Sequence, residues 1–133
     1  MTSALFSKGR EGFLDGSIDW DTNDIRVMLV KSAYTFDDAD EDLADLGAND
    51  NGRSAALGTK TVVAGVAGAA DTTLVATAAV ACNALIIFQH TGSDATARLI
   101  AYIDNATGLP FTPAVSQTVN IAWDTGANKI FKL

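Results

Sequence analysis

The chain has 133 residues, 9 Lys+Arg against 16 Asp+Glu for a net charge of −7, 48% hydrophobic residues and a mean hydropathy of +0.18. That apolar content excludes a disordered chain, and one copy can bury roughly two-thirds of its unfolded surface around a single core. The acidic balance argues against sequence-independent nucleic-acid binding, which draws its affinity from Lys and Arg on phosphates. One Cys and one His exclude a disulfide framework or a Cys/His zinc cage within one copy.

Among the acids only Glu11 and Glu41 are Glu; the rest are Asp, a residue of caps and turns. With abundant Thr, Ala and Gly around Val/Ile/Phe runs, this composition predicts short strands joined by tight turns. Residues 1–10 lack the apolar core of a cleaved leader, so synthesis in a reducing cytoplasm is expected. Residues 1–16 read as an N-terminal arm or a short helix ending near Gly16, with Gly9 and Gly12 interrupting it. An Asp21-Thr22-Asn23-Asp24 turn then leads into a strand at 25–31, with Ile25, Val27 and Leu29 on one face and Arg26, Met28 and Val30 on the other. That alternation predicts a half-buried strand.

The most acidic stretch, 37–47, carries Leu43 and Leu46 at a three-residue spacing with Gly47 as a stop, which suits one or two helical turns on a long loop. Asn51-Gly52 reads as a tight turn. Strands are expected at 57–64, 73–77, 83–90, 97–104, 115–123 and 129–133, with 65–71 a glycine-bearing loop or bulge. Leu85-Ile86-Ile87-Phe88 is apolar on both faces and therefore central. Residues 61–88 hold a single charge, Asp71, but their Ala, Gly and Asn content and the shortness of their densest apolar part predict buried strands and no membrane span. The pattern is all-β: a single-domain antiparallel β-sandwich over 17–133, jelly-roll-like, with about seven or eight strands. Trp20-Asp21-Thr22 and Trp123-Asp124-Thr125 repeat one Ile-x-Trp ending, read as shared turn chemistry.

Chemistry-bearing patterns are incomplete. Asp38-x-Asp40-x-Asp42 opens like a calcium loop, but Leu43 stands where the turn needs Gly and Asn49 where the bidentate Glu belongs. His90, Ser93 and Asp94 crowd one turn, whereas triad members converge from separate elements. Cys82 has no partner cysteine and reads as an inert buried thiol. No catalytic, metal or cofactor site is therefore assigned. The arm holds Phe6, Lys8, Arg10 and Phe13, aromatic and basic on an otherwise acidic chain. These four are the candidate partner-contact residues, with packing onto the chain's own core as the alternative.

Four segments together, Phe6–Gly16, Asp24–Val30, Arg98–Asp104 and Val119–Asp124, resemble small structural proteins from the virions of tailed bacteriophages. The resemblance spans most of the chain, and its motifs are packing signatures without a functional residue to carry over. Closest in character is a capsid decoration, or cement, protein. That resemblance implies a non-enzymatic protein on the capsid exterior, bound to the major capsid protein and to copies of itself as a dimer or trimer, with neither nucleic acid nor membrane as a partner. Its alternative is a tail or fibre component, including a glycan-binding β-sandwich for host attachment that would expose Trp20, Tyr34 or Phe111.

Overall fold

Residues 85–88 become the centre of the molecule. In the computed structural model, which describes residues 4–133, they lie in β7 (Cys82–Gln89), the middle strand of a five-stranded antiparallel sheet. The order is β1 (Ala4–Leu5), β8 (Leu99–Ile103), β7, β2 (Ile25–Lys31) and β3 (Asp50–Arg53). β2 and β7 pair from Ile25↔Gln89 to Lys31↔Cys82.

Both faces of the central strands are dry. Ile25, Val27, Leu29, Leu85 and Ile87 enter one core; Met28, Val30, Ala84, Ile86 and Phe88 enter another, and all are buried. The first strand is thus not half-buried as its alternation predicted. Only its two charged residues, Arg26 and Lys31, are not fully buried, and Arg26 makes two 2.9 Å hydrogen bonds to Asp24. Full burial of an aliphatic side chain contributes roughly 1.5–3 kcal/mol, so covering both faces of three central strands is the dominant stabilising term.

Two covers do this. Over Met28 and Ile86 lie Tyr34, Phe36, Leu43 and Leu46, together with Phe6. Over Val27 and Ile87 lie two small antiparallel sheets. One has the order β10 (Phe131–Lys132), β5 (Val66–Gly68), β4 (Thr61–Val63); the other pairs β6 (Thr72–Val75) with β9 (Thr118–Ile121). The chain is mostly β and antiparallel, as expected, with ten strands among the described residues in place of seven or eight. The excess is β3, β5 and the two-residue edge β1, which is too short to read from a pattern; β10 falls within the strand expected at 129–133. The expected loop at 65–71 also holds β5, which pairs with β4 around a two-residue turn, Ala64 and Gly65, both at positive φ. Among the described residues no helix is long and apolar enough to cross a membrane.

The arm is a strand and a helix. α1 (Ser7–Asp15) stops at Gly16, which is left-handed at φ 82°. Gly9, expected to interrupt a helix, sits inside it because the helix lies against β8. A Cβ there would stand 2.8 Å from Ile100 Cα and from Leu99 O, so contact with the sheet outweighs the glycine's propensity cost of about 1 kcal/mol.

Asn51-Gly52 is not a turn but part of β3, and both residues are buried. Asn51 Nδ2 donates to Ala78 O at 3.1 Å and to Cys82 Sγ at 3.1 Å, while its Oδ1 accepts from Ala78 N at 2.9 Å and Thr77 Oγ1 at 3.0 Å. One side chain thereby satisfies the turn that feeds β7. Gly52 has φ 124°, and a Cβ on it would fall 2.3 Å from Val75 O. Gly52→Ala is expected to lower stability by about 2–4 kcal/mol through strain and overlap combined. Gly58→Ala, where nothing lies within 4 Å, should be close to neutral; urea midpoints of the two variants check this.

Candidate functional site

The four arm residues separate into core and surface. Phe6 is fully buried, its ring 5.0 Å from that of Phe36. Phe13 is partly buried, 5.9 Å from the ring of Phe131. A partner can reach Phe6 only if the arm leaves the sheet. Lys8 and Arg10 lie towards solvent: Lys8 pairs with Glu11 at 3.1 Å and lies 3.9 Å from Glu41. Arg10 donates to Leu5 O at 3.0 Å and to Ser7 Oγ at 3.2 Å.

The acidic segment is built into the fold. Asp38 accepts from Ser7 N at 2.8 Å and from Ser7 Oγ, and so caps the start of α1 from across the molecule. Asp40 accepts from the Tyr34 hydroxyl at 2.7 Å. Asp42 accepts from Ala44 N, and Asp45 from Glu41 N and Asp42 N, closing a capping box on the short helical segment Leu43–Asn49. The three alternating aspartates aim at three different partners, and among the described residues no cluster of three or more His, Cys, Asp or Glu is placed to hold a metal ion. The hydrogen bonds from Ser7 hold the Asp38 carboxyl below the ordinary aspartate range; burial raises Asp40 and, with Asp45 beside it, Asp42.

The other singled-out residues also serve loops. Asp94 forms a two-armed pair with Arg53, at 2.9 and 3.0 Å, and that guanidinium pulls its carboxyl below the usual range. Arg53 also reaches Asp50 and lies 5.7 Å over the Phe88 ring. His90 donates its backbone amide to Asp24 O. Burial pushes the Cys82 thiol up. Trp20 and Tyr34 are buried, against the expectation of exposed aromatics, and Phe111 is half-buried, paired through its backbone with Cys82. The repeated tryptophans share a target the sequence did not signal: Trp20 Nε1 donates to Gly68 O and Trp123 Nε1 to Ala70 O, each at 3.0 Å. Together they pin the passage from β5 to β6.

Among the described residues, part of the small-sheet side of the molecule is left open. The small sheets do not extend over the β1–β8 side of the large sheet, and an open groove of about 1230 Å³ remains there. Leu29, Leu85, Ala101 and Ile103 form part of its floor; Val119, Trp123 and Phe131 stand along the side made by β9 and β10. The last three, with Ile103, are only partly buried. Arg10 lines it as well, so one of the four arm residues meets the groove. Sequence reasoning missed the site because its walls come from chain ends and loops that no local pattern brings together.

Phe6→Ala is expected to cost about 3–5 kcal/mol, seen as a large drop in urea midpoint; a near-neutral result would mean the arm is not seated. Asp38→Asn is expected to lose about 1 kcal/mol at neutral pH through the helix cap. Because the folded state lowers the Asp38 pKa, its contribution is present above the unfolded value and is lost as pH falls through the folded one. Melting temperatures from pH 7 down to 3 should therefore converge for Asp38→Asn and the parent.

Comparison with protein-family models, with curated protein sequences and with solved structures found no match.

Proposed function

We propose that this chain is a non-enzymatic structural protein of a tailed-phage virion that binds the outer capsid surface and bridges capsid subunits. The observation that carries the reading is the groove: an acidic domain that buries three central strands on both faces still leaves a long groove open beside β9 and β10, where partly buried apolar side chains alternate with polar and basic ones. A concave surface of mixed polar and apolar character is what a non-obligate protein contact uses, since such interfaces are only about as apolar as the rest of the surface. The resemblance of the four strand and arm segments supplies the setting. The fold reading that goes with it is a β-sandwich whose second leaf is divided into two small sheets, the chain changing layer after β3, β6 and β8.

Mechanistically, the protein acts by linkage. Binding only the assembled lattice stabilises that lattice by mass action, and many copies, as dimers or trimers, multiply the effect. The acidic face turned outward keeps the particle dispersed.

The test mixes purified protein with DNA-filled, tailless heads that lack it, and counts copies pelleted per head. Saturable binding at many copies per head is expected. No binding to heads, with binding to isolated tails or to host cells, would replace this reading with the tail or host-attachment one.

A further inference from the structure

We infer that the groove takes an extended polypeptide strand with apolar residues at alternate positions and carboxylates flanking them, which adds to the free edge of the small sheets. The inference rests on the groove being a docking surface for protein, and is independent of which particle supplies the strand.

Three observations converge on that occupant. First, among the described residues β9 and β10 are both edge strands: β9 pairs with β6 alone, and β10 with β5 alone. The groove is lined by β9 and β10 but not by the β5 and β6 strands behind them. An unpaired edge presents backbone donors and acceptors that another strand satisfies. Secondly, Ile103, Val119, Trp123 and Phe131 line the groove and are only partly buried, so a strand laid along it buries every second side chain against them and leaves the alternate ones in water. β9 already shows this pattern: Val119 and Ile121 turn inward while Thr118 and Asn120 are exposed.

Thirdly, the charge is locally reversed. Among the described residues the lining carries Arg10, Lys129 and Lys132 against the single carboxylate Asp124. Of 9 Lys+Arg and 16 Asp+Glu in the chain, that leaves 6 and 15 elsewhere, so the groove is a basic strip on an acidic protein. An acid-flanked strand is attracted to it and a lysine-flanked one is not, a discrimination that electrostatics provides more readily than raw affinity.

The experiment measures binding of labelled peptides to the full chain by fluorescence anisotropy, using Asp-Asp-Val-Thr-Val-Thr-Val-Asp and its counterpart with Lys at each Asp. The acid-flanked peptide should bind about tenfold more tightly, since exposed ion pairs are individually weak. Lys129→Glu with Lys132→Glu, both exposed positions, should narrow or reverse that preference without altering the melting curve. N-methylation along one edge of the peptide should abolish binding, and along the other leave it, because only one edge pairs with the sheet. Hydrogen exchange should slow in β9 on binding. Equal binding of both peptides, insensitivity to N-methylation on either edge, or absence of binding would overturn the inference. So would sedimentation showing that a second copy already fills the groove. Head binding without peptide binding would overturn the strand inference and leave the capsid reading standing; peptide binding without head binding would do the reverse.

Discussion

The central strands of this protein are apolar on both faces, and that constraint organises the rest. A strand such as β7, with Ala84, Ile86 and Phe88 on one side and Leu85 and Ile87 on the other, cannot leave either side in water. The sheet therefore requires two covers, and a chain of 133 residues has little material from which to make them. One cover is a loop and a helix; the other is a pair of small sheets. Their unequal reach is the origin of the groove.

The first cover depends on short polar side chains used as backbone acceptors. A loop laid over an apolar sheet must satisfy its own amides, and Asp37, Asp42 and Asp45 accept from amides within the acidic segment itself. Asp38 does more, tying this loop to the start of α1, so that the two pieces above Met28 and Phe88 hold each other in place. The acidity that reads as a solvated surface is thus largely a consequence of building a loop where a strand or helix would not fit. Charge at these positions still faces water on its outer side, which is consistent with a soluble, repulsive exterior.

The second cover is held differently. Trp20 and Trp123, far apart in the chain, donate to carbonyls two residues apart at the exit of β5, and Asn51 fastens the turn before β7 from beneath. These polar contacts fix where the small sheets sit. They also set where those sheets end, with β9 and β10 as edges beside the open groove. A site for strand addition arises from the same geometry that completes the core on the opposite side.

The class of the fold and its centre were legible in the sequence, because both follow from local composition: Asp, Gly and Thr at turns, and the run 85–88 apolar at every position. The short helix ending at Gly16 and the helical turns around Leu43 and Leu46 were legible for the same reason, since caps and stops act over a few residues. What local pattern misstated were positions whose neighbours are distant. Asn51-Gly52 carries turn chemistry, yet is a strand because Ala78 and Val75 lie against it; Gly9 carries helix-breaking chemistry, yet is helical because Ile100 leaves no space for a Cβ. The half-wet alternation of β2 described one face and said nothing of the loop that covers the other. By itself, then, the sequence determined an all-β chain with a known central strand and an acidic exterior. Only the tertiary structure decided that the arm's Phe6 belongs to the core and that the open surface lies along β9 and β10, because each depends on contacts between residues far apart in the chain.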